Sequence, residues 1–310
     1  LRQIQAGIRK GPRQASYIWK GDFDLPEGLF IQTVLIPGVA AAFAAGLLWF
    51  VGGGDRGFAA ASGAIGIGVL AAYLAVLGAP PAPPAAAMQK LFYIVAGGTL
   101  LGILLDMLRA PIGMTRVLGA LAPTIIIVWL AWRPLMGLDW GEDWMLALKV
   151  VAFAAIAGAI LSSLYRDRGA AVESGVLVLV AAAGLAGLAF FGSSAVVAQM
   201  SGALAAASGG LLLWNWPFSR HGFAAAGVLG AGGALVSLAA ILLLFSETEP
   251  LALLVLAGVF VTGAAARRAA PGRGTFSRAA RPVVLGVIAA IPALAALGVA
   301  FLAGGDDSGY

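Results

Sequence analysis

Asp106, Lys149 and Glu173 are charged residues set inside long apolar stretches of this chain. A charge within a bilayer is costly unless paired or solvated, so such residues are the first place to seek proton transfer or ion binding. Asp106 precedes Arg109 by one helical turn, a spacing that lets the two pair on one helix face. Lys149 lies about one turn inside its stretch, from which its stem can snorkel to the headgroups. Glu173 follows Arg168 closely and sits near the end of its own stretch. None of the three falls at mid-depth. Each carboxylate is therefore expected to stay solvated or paired at an interface.

Gln199 and Ser201, in AVVAQMSGA, form the most polar pair at mid-depth. Their chemistry suits interhelical hydrogen bonding or contact with a solute. In a carrier, the candidate solute contacts are thus Asp106, Glu173, Gln199 and Ser201.

Composition removes most other chemistry. With no cysteine, there is no disulfide, thiolate nucleophile, iron–sulfur cluster or zinc–cysteine site. A single histidine, His221, excludes bis-histidine haem ligation and argues against a His-rich metal site. It has no strand–turn–helix serine context for Ser–His–Asp hydrolysis. Gly63, Gly66 and Gly68, and Gly227, Gly230, Gly232 and Gly233, lie in apolar stretches with no following Lys-Ser/Thr. They read as helix-packing surfaces, not as a phosphate loop. No cofactor, no metal and no catalytic residue is expected.

The elements that must position these residues are membrane helices. Hydrophobic residues make up 61% of the chain and charged residues 11%, against about a quarter charged in soluble domains. The mean hydropathy is +0.97. Stretches of about 20 apolar residues can cross the hydrocarbon core. They run over 29–51, 58–79, 86–106, 115–136, 145–165, 169–191, 194–215, 222–245, 250–266 and 282–304. The pattern predicts an all-α polytopic helical membrane protein with about ten transmembrane helices arranged as successive hairpins. A basic interfacial tail at 1–28 precedes the helical domain at 29–304, and a short acidic tail at 305–310 follows it.

Charge sorts the connections. Alternate loops hold Arg56; Arg109 and Arg116; Arg166 and Arg168; Arg220; and Arg267, Arg268, Arg273, Arg278 and Arg281. The intervening connections carry only Lys90, Arg133 and Lys149 and hold Asp139, Glu142, Asp143, Glu247 and Glu249. The positive-inside rule places the arginine tips in the cytoplasm, with a bacterial cytoplasmic membrane as the expected setting. The net charge of +5 is accounted for by these dispersed tips, so no nucleic-acid partner is expected. One phrase recurs at the tips: DRGFAAASG at 55–63, DRGAAVESG at 167–175 and GFAAAG at 222–227. It reads as a hairpin tip followed by small residues that begin the returning helix.

Two segments exceed what membrane anchoring requires. The tail carries Arg9, Lys10 and Arg13, and its Leu1, Ile4 and Ile8 fall on one helical face with Arg2 and Arg9 beside it, which suits a helix lying in the interface. The loop at 138–144 gathers Asp139, Trp140, Glu142, Asp143 and Trp144 into an acidic aromatic cluster. These are the candidate partner contacts. Taken together, the sequence points to a non-catalytic integral membrane subunit or scaffold, surrounded by membrane lipids and other membrane protein subunits. The alternative is a carrier or flippase for a lipidic or weakly polar solute.

Overall fold

The computed structural model describes residues 27–137, 144–165, 171–216, 220–263 and 275–306. The basic tail with Arg9, Lys10 and Arg13, and the loop residues Asp139, Trp140, Glu142 and Asp143, lie outside the described residues. Helices dominate: α1 (Gly28–Gly52), α2 (Gly54–Ala60), α3 (Gly63–Leu77), α4 (Ala87–Met107) and α5 (Ile112–Leu130). They continue as α6 (Trp132–Met136), α7 (Trp144–Leu164), α8 (Ala171–Phe191) and α9 (Ala195–Asn215). The last three are α10 (Gly227–Phe245), α11 (Pro250–Val261) and α12 (Thr275–Asp306).

Among the described residues, 8 helices are long and apolar enough to cross a membrane: α1, α4, α5, α7, α8, α9, α10 and α12. The pair α2–α3, bent by 43°, supplies one more if counted as a single span, and α11 is apolar but shorter. The chain is an all-α, polytopic membrane protein. Each predicted stretch corresponds to a helix or to this bent pair.

Two boundaries differ from expectation. The stretch at 58–79 is broken around Ala61 and Ser62, so its small residues form a corner and not a continuous helix. The stretch at 115–136 ends as a regular helix at Leu130, and α6 follows as a separate short element. A proline also leaves its mark in α1. Pro37 has no N–H to offer the carbonyl one turn back at Thr33, and the turn over Ile31–Leu35 is widened into a π-helix. The Thr33 hydroxyl donates to the Leu29 carbonyl at 2.7 Å.

Burial identifies the centre. In α10, 78% of the membrane-length window is buried, against 17–33% in α1, α4, α5, α7 and α12. Those outer helices present apolar side chains such as Phe43, Phe50, Leu100 and Val151 outward, as lipid-facing surfaces do. Interhelical packing depends on the absence of side chains. A Cβ on Gly102 of α4 would lie 2.7 Å from the Ala225 carbonyl, and one on Gly98 would strike the Leu229 carbonyl. Gly66 of α3 and Gly230 of α10 both press on Thr99, while Gly68 admits the Pro37 carbonyl of α1. The predicted packing role of the α3 and α10 glycines thus holds at close contacts. Gly98 and Gly102 form a further small-xxx-small pair.

Aromatic residues mark the helix ends. Trp49, Trp132, Trp144 and Trp216 are exposed there, at the level amphipathic rings prefer. Trp214 turns inward, and its Nε1 donates to the Ala42 carbonyl at 2.9 Å.

Candidate functional site

The first N–H groups of a helix have no partner within it. For α10 this problem arises inside the protein, where Gly222–Gly227 are buried. Side chains and backbone from two other elements solve it. The Gly222 N–H donates to the Phe58 carbonyl at 2.7 Å. Ser62 Oγ, at the α2–α3 corner, accepts from the N–H groups of Ala224 (3.3 Å) and Gly227 (2.9 Å). Asp106, from the end of α4, accepts from Ala225 at Oδ1 (3.0 Å) and from Ala226 at Oδ2 (2.9 Å). A carboxylate also suits the positive end of the helix dipole.

The recurring phrase finds its use at this junction. Gly57–Phe58–Ala59–Ala60–Ala61 and Gly222–Phe223–Ala224–Ala225–Ala226 are the same five residue types. The Phe58–Gly222 hydrogen bond joins the two copies, and Ser62 at the end of the first caps the second. Small residues permit this approach: a Cβ on Gly222 would meet the Phe58 ring at 2.8 Å.

A cleft of about 360 Å³ opens beside the junction, with Asp55, Phe58, Asp106, Arg109, Tyr165 and Phe223 among its walls. Arg109 stands at φ 55°, in the left-handed region, where the chain leaves α4. It is exposed, whereas Asp106 is buried. The expected Asp106–Arg109 pair is therefore replaced. The carboxylate turns inward because two buried amide donors need it more than a solvated guanidinium does.

Lys90, at the opposite end of α4, does the complementary work. Its buried Nζ donates to the Trp129 carbonyl at 2.8 Å and lies 3.5 Å from that of Leu130. A cation thus meets the negative end of α5. Gln89, beside it, accepts from the Ala85 (2.8 Å) and Ala86 (3.1 Å) N–H groups and caps α4 itself.

Glu173 pairs with Arg281 of α12 at 2.8 Å, a partner far along the chain; Arg168 lies outside the described residues. Ser174 donates to the Leu164 carbonyl at 2.8 Å, tying α8 to the end of α7. Ser201 is fully buried in α9, and its Oγ has no hydrogen-bond partner among the described residues. Gln199 is only half-buried. Two positions apart on a helix, they point to different faces, and both lie near the start of α9 rather than at mid-depth. Asp106 and Glu173 belong to the other end of the bundle. The four candidate solute contacts do not form one site.

Trp144, the first residue of α7, is exposed. Lys149 is exposed one turn further on. His221 is buried between Trp214 and Trp49, with ring centroids 5.8 and 6.5 Å away. Neither of its ring nitrogens has a hydrogen-bond partner among the described residues. Asn215 Oδ1 holds the backbone in place by accepting from the N–H groups of Arg220 (2.8 Å) and His221 (2.7 Å). Burial, helped by the neighbouring Arg220 charge, pushes the imidazole below its ordinary pKa. No cluster of three or more potential metal ligands occurs among the described residues.

Neither the protein-family models, nor the curated proteins, nor the solved structures yield a match to this chain.

Proposed function

We propose that this chain is a non-catalytic integral membrane subunit, a scaffold within a larger membrane assembly. The observation that supports this reading is the use made of its internal charges. Asp106 and Lys90 are bound to the ends of neighbouring helices, and Glu173 is bound to Arg281. Each charge holds helices in register, and among the described residues no carboxylate is left poised at mid-depth for proton relay. The acidic tryptophan loop and the basic tail supply the contacts to other subunits.

A carrier or flippase for a lipidic or weakly polar solute is the second reading. Its support is the cleft of about 360 Å³ lined both by the bent α2–α3 pair and by the residues that lead into the central helix α10, since carriers build solute sites at interrupted helices. In that case a solute must compete with Asp106 for the amides of α10.

The experiment that separates the two is mild solubilisation of the tagged chain from its native membrane, followed by native mass and identification of co-eluting chains. A hetero-assembly that weakens on deleting residues 1–20, with insertion intact, is the expected result. Recovery only as a monomer or homodimer, together with solute uptake by the purified chain in liposomes, would reject the scaffold in favour of the carrier.

A further inference from the structure

A second cavity lies further along α10, beside Leu235–Leu243, and has different chemistry. It is a groove of about 280 Å³ walled by α7 and α11 and floored by α8 and α10. Phe153 and Ile156 line one wall, Leu254 the other, and Leu185, Ala239 and Leu243 the floor. Ile156 and Leu254 are exposed at its rim, so the groove opens on the lipid-facing side. Lys149 stands at the groove's end, level with Pro250 at the start of α11, and is the one charged side chain in its lining. It makes no ion pair among the described residues.

We infer that this groove holds one acyl chain of an anionic glycerophospholipid, whose phosphate sits at Lys149. Three observations carry the assignment. The lining is apolar apart from Lys149, so it suits a hydrocarbon chain and offers nothing to a polar solute. The run of lining residues on α7 from Lys149 to Leu161 spans roughly 18 Å of helix, close to the ~15 Å depth of one leaflet's hydrocarbon. The cation is at the interfacial end of that run, where a phosphate would lie.

The test uses the full chain in nanodiscs of phosphatidylcholine doped with phosphatidylglycerol bearing a diazirine on its acyl tail. Photolysis and peptide mapping should concentrate adducts on α7 and α11. Lys149→Gln should lower the phosphatidylglycerol adduct about fivefold and leave that of a matched phosphatidylcholine probe unchanged. Ala239→Phe, which fills the floor, should lower both. If that variant fails to fold, Leu254→Trp replaces it, because Leu254 is exposed at the rim and its substitution covers the mouth without touching the core. Adducts spread evenly over all lipid-facing helices, an unchanged yield in Lys149→Gln, or a protein cross-link in place of the lipid would each overturn the assignment.

Discussion

Lys90 and Asp106 stand at opposite ends of α4, and each binds the end of a different helix. The ammonium takes the carbonyl end of α5, and the carboxylate takes the amide end of α10. Charge sign matches dipole sign at both ends. One helix therefore serves as a clamp across the bundle, and Asp106, a candidate ion-handling group in the sequence, is bound to the amides of another helix end.

The carboxylate should be hard to replace. Asp106→Asn keeps the shape but removes the charge and brings an amide donor towards amide donors. A loss of about 2–3 kcal/mol is expected, with about 1–2 kcal/mol for Ser62→Ala. Thermal unfolding in mild detergent measures both. An Asp106→Asn variant that melts with wild type would remove the capping role.

Neighbouring glycines on α4 should differ sharply. Gly97 has open space where a Cβ would point, whereas Gly98 and Gly102 are closed by the backbone of α10. Gly97→Ala is expected to be neutral or slightly stabilising, since alanine favours the helix. Gly98→Ala and Gly102→Ala should each lower stability by at least about 1–3 kcal/mol through overpacking. Equal melting of all three variants would contradict the close α4–α10 contact.

His221 makes stability depend on pH in one direction. Its folded pKa lies below the ordinary value of 6.5, so below about pH 6.5 the unfolded chain takes up a proton more readily than the folded one. Stability should be fully present above that pH and should fall as the pH drops below it. His221→Phe keeps the ring between Trp49 and Trp214 and should flatten this part of the profile. Melting at about pH 8 and about pH 5.5 supplies the comparison, and an unaltered profile in the variant would assign the dependence to another group.

Orientation can be read by labelling. Cysteines introduced at Arg56 and Arg220, both exposed, should be shielded from an impermeant thiol reagent added to intact cells. One at Glu247, exposed at the other end, should react. The reverse pattern would place the arginine tips outside.

The helical type and the place of each apolar stretch were legible in the sequence because apolar length decides whether a segment can span a bilayer, whereas about ten spans were expected and 8, or 9 with the bent pair, are long enough. The packing glycines of α3 and α10 were legible for a related reason: small residues inside an apolar run serve close approach. The partners of the charges were not. Local spacing favoured Arg109 for Asp106, whereas the fold supplies Ala225 and Ala226, and Glu173 gains Arg281 from a helix far along the chain. Such pairings depend on which helix ends meet, and periodicity within one helix carries no information about that. Gly98 and Gly102 carried a readable signal in their spacing. For Ser62, nothing but the repeated phrase pointed to a special role.

The separation between Asp106 and the amides it binds, 119 and 120 residues along the chain, also sets an order of events during synthesis. At ribosomal rates of about 5–20 residues per second, Ala225 emerges roughly 6–24 s after Asp106. Throughout that interval α4 is in place with an acid at its end and no amides for it to cap. The newborn helices α1–α4 therefore cannot reach their final arrangement by themselves. Their closure waits on the arrival of α10, and a chain cut short before Phe223 leaves Asp106 without the amides that it binds in the finished protein.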